Sequence, residues 1–302
     1  MSYANDIREL VGNTPLLRLN KLGLPGEVRL LAKLELLNPG GSVKDRIGIS
    51  MIEAAEKDGS LAKGGAIVEA TAGNTGIGIA LAALGKGYRV IFVVPLKFSA
   101  EKVALMRALG AEIVRTPEAD GMTGAREKAA QIIAETAGAV SLDQFENPAN
   151  PRIHYETTGP ELLRDSGGEI DYFVAGAGSG GTFSGILKYL KEKLPRVKGV
   201  LVDPLGSTIG GGEHGPYSIE GIGNSFIPGT MDLSLVDEVI KVKDGEAVSA
   251  ARLLAEKEGV IAGSSSGAAL FGALQVAKRI ERGTVATLLP DRGERYFSKD
   301  LF

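Results

Sequence analysis

Asn38-Pro39-Gly40-Gly41-Ser42-Val43-Lys44-Asp45-Arg46 joins two readable elements. Before it, residues 29–35 (Arg-Leu-Leu-Ala-Lys-Leu-Glu) read as a strand. After it, residues 47–57 carry Ile47, Ile49, Met51, Ile52 and Ala55 at helical spacing. Ser42 suits the N-cap, and Asp45 three residues on makes a capping box with Asp in place of Glu. Lys44 then falls at the second helical position. A cation there faces the positive end of the helix dipole, with Arg46 as a like charge nearby. Both effects favour the neutral amine, as would burial. A neutral lysine amine is what Schiff-base chemistry needs. The stretch alone also allows an ordinary solvated lysine in a first helical turn.

Outward from this stretch, strand and helix patterns alternate. Residues 16–19 read as a short strand after the turn Val11-Gly12-Asn13-Thr14-Pro15. Residues 66–69, 89–94 and 112–115 read as strands, separated by helices at 76–85 and from Ser99 to about Leu109, with another helix at 124–136. Asn147-Pro148-Ala149-Asn150-Pro151 reads as a break between two halves. The second half has strands at 172–175, 199–202 and 284–289, and helices at 182–192, 247–258 and 267–282. Residues 206–229 are a long glycine-rich loop, and loops of that length are often functional. The alternation predicts an α/β protein built from parallel βαβ units with helices on both sheet faces.

Composition removes several functions. The chain has 302 residues, net charge −3 and no basic block, which argues against nucleic acid or an anionic membrane as the main partner. It has no cysteine, which excludes disulfides, thiol nucleophiles and thiolate-bound metal or haem. His154 and His214 are its two histidines, so no metal site is expected. The polar start is unlike a signal peptide, and no apolar run is long enough to span a bilayer. A cytoplasmic protein is the expectation.

Three glycine-rich loops border helices. Gly176-Ala177-Gly178-Ser179-Gly180-Gly181-Thr182 satisfies G-x-G-x-x-G, with Asp203 at the end of the next strand. That pattern allows a dinucleotide, and a nicotinamide-dependent dehydrogenase is one reading. A nest of backbone N–H groups at a helix start holds a phosphate monoester equally well. Thr71-Ala72-Gly73-Asn74-Thr75-Gly76 adds hydroxyls and an amide, a cradle for a carboxylate, or else a plain turn. Gly263-Ser264-Ser265-Ser266-Gly267 offers either N-caps or a neutral hydroxyl for a ligand.

With Lys44 and these loops in one chain, the sequence resembles the fold-type II pyridoxal-phosphate enzymes of the cysteine synthase and cystathionine β-synthase group. The likeness runs from Val11-Gly12-Asn13-Thr14-Pro15-Leu16 to Pro290-Asp291-Arg292-Gly293-Glu294-Arg295-Tyr296. It implies two parallel-sheet α/β domains, tryptophan synthase β-like, with pyridoxal 5'-phosphate in the cleft between them. Residues 1–11 and 36–146 would form the N-terminal, mobile domain, and 12–35 and 147–302 the C-terminal one. By the resemblance, Lys44 is the Schiff-base lysine and the general base. Gly178, Ser179, Gly180, Gly181 and Thr182 match the phosphate loop. Asn74 matches the residue beside the ring hydroxyl, and Ser265 the residue at the pyridine nitrogen. Thr71, Ala72, Asn74, Thr75 and Gln144 match the carboxylate-binding positions.

The reaction implied is β-replacement on O-acetylserine, serine or cysteine through a bound α-aminoacrylate, in a homodimer acting on small amino acids. Ala72, where sulfide-using enzymes usually have Ser, and Glu220-Gly221-Ile222-Gly223, where they usually have Gln first, look more like bacterial O-acetylserine-dependent cystathionine β-synthases. So does Gly-Gly-Glu-His-Gly-Pro at 211–216. Glu220 and Gly221 are therefore expected at the acceptor side, with homocysteine as the thiol and sulfide as the alternative. Arg292 stands where Ser is common. With the chain ending at Phe302, the nucleotide-binding modules of the animal enzymes are not expected.

Overall fold

The computed structural model describes residues 3–71, 73–96 and 100–302. Strand β1 (Leu16–Arg18) pairs with β2 (Glu27–Lys33), and a short turn at Glu35–Leu37 leads to α1 (Lys44–Asp58). Then come β3 (Ala66–Ala70), α2 (Asn74–Ala83), β4 (Arg89–Pro95) and α3 (Ala100–Ala108). They are followed by β5 (Glu112–Thr116), α4 (Gly121–Glu135) and β6 (Ala139–Val140). A helical stretch comes next: α5 (Ala149–Ile153), a π-turn at His154–Thr158 and α6 (Gly159–Asp165). The chain continues as β7 (Tyr172–Gly176), α7 (Gly181–Lys193), β8 (Lys198–Pro204) and β9 (Glu238–Val242). It finishes with α8 (Asp244–Glu258), α9 (Ser264–Lys278) and β10 (Arg282–Leu288).

The strands form two sheets. One has the order β1-β2-β10-β7-β8-β9, parallel except for β1. The other, β5-β4-β3-β6, is wholly parallel. Inner strands such as β4 and β8 are buried along nearly their whole length, as near-continuous apolar runs require when helices cover both faces. On one face of the larger sheet Val174, Val200 and Val202 pack against Leu254, Leu270 and Ala273. On the other, Phe173, Leu201 and Ala286 meet Phe183, Ile186 and Leu187 of α7. The architecture is the expected α/β one.

Strand order places the functional loops. From β3 the chain moves through α2 to β4 on one side, while β6 lies on the other. From β7 it moves through α7 to β8, while β10 lies on the other side. Both are points where strand order reverses, the place at which open α/β sheets take their ligands, beyond the carboxyl ends of the strands. The loops at 71–73 and 177–180 leave these two strands.

The structure corrects the sequence reading in several places. The prolines of the 147–151 segment do not prevent a helix: Pro148 precedes α5 and Pro151 lies in its first turn, where a missing N–H costs nothing. Strands β6 and β9 escape the pattern because one is two residues long and the other only partly buried. Glu35 leaves the strand for a turn, and α9 stops at Lys278, so that Arg282 opens β10. The N-cap is Val43, one residue later than expected, so Lys44 is the first helical residue rather than the second, although Ser42 Oγ still accepts the Lys44 N–H at 3.2 Å. The Asp45 carboxylate, however, accepts from Gly40 N–H at 2.6 Å rather than from Ser42. Ser42 is held in an antiparallel bridge with Asp291, closed by Val43 N–H to the Pro290 carbonyl and Arg292 N–H to the Gly41 carbonyl.

Candidate active site

Lys44 opens α1, and the helix is anchored through Arg46, two residues further on. The Arg46 guanidinium forks onto Glu35 (2.8 Å from both Nε and Nη2) and onto Glu161 (2.7 and 2.8 Å). Lys33, fully buried, reaches Glu161 at 2.9 Å and the Thr14 carbonyl at 2.6 Å. Removing one member of a buried set like this typically costs about 3–5 kcal/mol, because it strands a charge. Helix α2 crosses α1 at contact distance, since a Cβ on Gly48 would overlap the Gly78 carbonyl and one on Gly78 the Lys44 carbonyl. The Lys44 backbone is thus clamped on both sides.

The Lys44 amine has no hydrogen-bond partner among the described residues. Burial lowers its pKa from 10.5 to about 8, and the Asp291 carboxylate opposes this only in part. His154, buried in the π-turn, is held neutral by burial and then by the charges of Lys44 and Arg46. Burial also lifts the Asp45 carboxyl to about 7, against the Gly40 N–H that favours its charged form.

The loop after β7 is built to receive an anion. The first-turn N–H groups of α7 lack intrahelical acceptors by helix geometry, and no side chain caps them. Gly180 has φ +86°, and a Cβ there would lie 2.5 Å from Met231 Cβ, so the loop tolerates no side chain at that position. Its hydroxyls are fixed: Asn150 Nδ2 donates to Ser179 Oγ at 2.9 Å, and Thr182 Oγ1 lies 3.1 Å from His154 Nε2. Thr230 donates to the Ser179 carbonyl, and Asn224 Nδ2 to that of Gly178 at 2.9 Å. Backbone donors and two hydroxyls suit a phosphate monoester. The dinucleotide alternative fails at Asp203. Its carboxylate is fully buried: Oδ2 is taken by Lys241 at 2.6 Å and Gly210 N–H at 3.0 Å, and Oδ1 is buried without a partner, so a ribose hydroxyl has no access to it.

The loop after β3 has a different chemistry. Ala72 lies outside the described residues. Thr71 is buried and Gly73 caps α2 without a side-chain bond. Thr75 Oγ1 donates to Gln144 Oε1 at 2.7 Å, which leaves the Gln144 amide N–H groups to face a ligand. Asn74 is gripped from the C-terminal segment: its Nδ2 donates to Asp291 Oδ2 at 2.7 Å, and Arg295 donates to its Oδ1.

Ser265 lies in the first turn of α9, buried, with Gly221 of the long loop beside its hydroxyl. The Gly221 carbonyl in turn abuts Gly178. Ser265, Gly178, the Ser179–Thr182 turn, His154, Lys44, Asp291 and Asn74 therefore form one connected ring. Glu220 stands apart from the expectation of an open acceptor carboxylate. Lys102 of α3 takes its Oε2 at 2.7 Å and Lys299 takes its Oε1. Lys102 also sits over the Tyr296 ring, 4.6 Å from its centre. Arg292 donates to the Leu36 carbonyl at 3.0 Å and staples the C-terminal segment to the turn before Lys44.

Sequence reasoning missed Asn150, His154, Thr230 and Asp291. The first three serve the phosphate loop from distant segments and carry no local pattern. Asp291 had one available signal, an acidic residue in the stretch that closes the resemblance.

A loop that suits a phosphate ester and a buried lysine of lowered pKa are parts that an aldehyde cofactor would need. The chain belongs to the pyridoxal-phosphate dependent enzyme family, whose model matches residues 7–291. It is 50% identical to the O-acetylserine dependent cystathionine beta-synthase of Bacillus subtilis (strain 168), over 100% of this chain and 99% of that protein. It is 46% identical to the cysteine synthase of Staphylococcus aureus (strain N315), over 99% of this chain and 97% of the other. The crystal structure of the O-acetylserine dependent cystathionine beta-synthase of Helicobacter pylori superposes with a TM-score of 0.94 at 43% identity, covering 100% of both chains. The fold is that of the fold-type II pyridoxal-phosphate enzymes. Among the described residues no helix is long and apolar enough to cross a membrane.

Proposed function

We propose that the protein catalyses β-replacement on O-acetylserine, with homocysteine as the acceptor thiol and cystathionine as the product. The observation that carries the β-replacement reading is the neutral-prone Lys44 amine set in one ring with the phosphate nest and the Asn74 loop. The cofactor, when bound, supplies the electron sink for breaking the bond to the α-proton. The chain supplies the rest. Ser179, Thr182 and the α7 N–H groups hold the phosphate, and Ser265 offers a hydroxyl at the ring nitrogen. Thr71, Thr75, Gln144 and the N-terminus of α2 hold the substrate carboxylate. That grip leaves the α-proton within reach of Lys44, which takes it and returns it after the thiol has added. Closure of the 36–146 unit over the substrate, in a homodimer, completes the reading.

The choice of acceptor rests on Glu220 and on the kind of relatives the chain has. A carboxylate receives the ammonium of homocysteine through a charge-assisted hydrogen bond, whereas sulfide has no such group. Here the ammonium must replace Lys102 or Lys299. That occupancy favours a second reading, with sulfide as the acceptor and cysteine as the product. Steady-state assays of Glu220→Gln with each nucleophile separate the two. The first reading predicts a fall of about tenfold or more in kcat/KM for homocysteine and little change for sulfide. Equal losses would remove the case for homocysteine.

A further inference from the structure

Asp291 follows β10 at the centre of the site and is 1% exposed. Its backbone is tied to both neighbouring loops, through the bridge to Ser42 and by accepting the Gly263 N–H at 3.1 Å. Its Oδ2 accepts two hydrogen bonds, from Asn74 Nδ2 at 2.7 Å and from the Tyr296 hydroxyl at 2.6 Å. Its Oδ1 is buried, makes no hydrogen bond and presses on Gly263.

The consequence falls on Asn74. An asparagine amide has a donor end and an acceptor end, and in isolation can present either. Arg295 carries only donors, so the Asn74 oxygen must face it. Asp291 accepts at the other end and takes one of the two amide N–H groups. At its nitrogen end Asn74 keeps the second N–H for a ligand, and that end can only donate. We propose that Asp291 is a positioning residue that fixes the Asn74 amide as a hydrogen-bond donor toward the ring oxygen of the cofactor. This rests on the reading of Asn74 as the neighbour of that oxygen. A fixed donor favours the ring oxygen in its deprotonated form and penalises a ring hydroxyl that would have to donate. Without Asp291 the amide is oriented by Arg295 alone and held less firmly, and the preference weakens. Tyr296 supports the carboxylate from behind, out of reach of the ligand through its own bond to Oδ2.

The test uses the full chain stripped of cofactor and titrated with pyridoxal phosphate, followed by visible absorption. Asp291→Ala is expected to weaken the dissociation constant about ten- to a hundredfold, the scale of a hydrogen bond to a charged group. Asn74→Ala is expected to lose a similar amount, and the double variant no more than Asn74→Ala alone. The pH titration of the bound cofactor's absorption should move upward in Asn74→Ala and, by less, in Asp291→Ala, where the lost carboxylate also ceases to favour the protonated Lys44 nitrogen; a merely structural role would move neither upward. Asp291→Asn keeps volume and an acceptor oxygen. It should fold and show a smaller shift in the same direction, which keeps the test open if Asp291→Ala does not fold. Multiplying losses in the double variant, or an unmoved titration in Asp291→Asn and Asp291→Ala beside a moved one in Asn74→Ala, would overturn the role of Asp291 alone. No change in Asn74→Ala would overturn both this role and the reading of Asn74.

Discussion

The loops after β3 and β7 occupy equivalent places, each leaving a strand where the sheet order reverses and each opening a helix. They are held in different ways. The β7 loop is fixed mainly from its own side of the molecule, by Asn150, His154, Asn224 and Thr230, and by a glycine at positive φ. The β3 loop owes its side-chain order to partners far along the chain, Gln144 on one hand and Asp291 with Arg295 on the other. The first offers backbone N–H groups to a constant anion. The second offers side chains whose orientation depends on another segment. A permanent ligand suits a nest that needs no rearrangement, and a transient substrate suits a cradle whose side chains are held from distant segments.

The largest effect should come from breaking the nest. Gly180→Val would force a branched side chain into Met231 at a backbone angle it rarely adopts. A destabilisation of roughly 2–5 kcal/mol is expected, from overpacking together with the positive-φ penalty. Thermal unfolding should show the loss, and visible absorption should show that cofactor no longer stays bound. Thr75→Val acts on the other loop and should do less. It keeps the shape but frees Gln144, so KM for the amino-acid substrate should rise by about three- to tenfold while the cofactor's absorption is unchanged. If cofactor content fell as well, the two loops would not be separable in the way described. Arg292→Ser should have the smallest effect. Its contact with the Leu36 carbonyl is exposed, and unfolding experiments should register about 1 kcal/mol or less.

Much of this was legible in the sequence because it is local. Ser42 and Lys44 announce a helix start, and the closely spaced glycines at 176–181 announce a nest. The alternation of strands and helices announces the layers. What was hidden depends on long-range pairing. Asn150 meets Ser179 across 29 residues and Asp291 meets Asn74 across 217. Neither contact leaves a periodic trace. The α5 to α6 stretch was hidden by its own prolines, which read as breakers although they stand at a helix start. Glu220 is legible as a residue of consequence, but its two lysine partners lie 118 residues before it and 79 after it, and no spacing could supply them.

The central claim is that Lys44 carries the cofactor because burial keeps its amine available. The direct measurement is the rate at which cofactor-free protein develops its visible absorption band on mixing with pyridoxal phosphate, taken across pH. Burial lowers the amine's pKa, so the reactive neutral form is lost as pH falls through about 8, rather than through the ordinary lysine value of 10.5. The rate should therefore rise with pH to a midpoint near 8, and Lys44→Ala, still folded, should develop no such band. A midpoint near 10.5, or the same band in Lys44→Ala, would contradict the account.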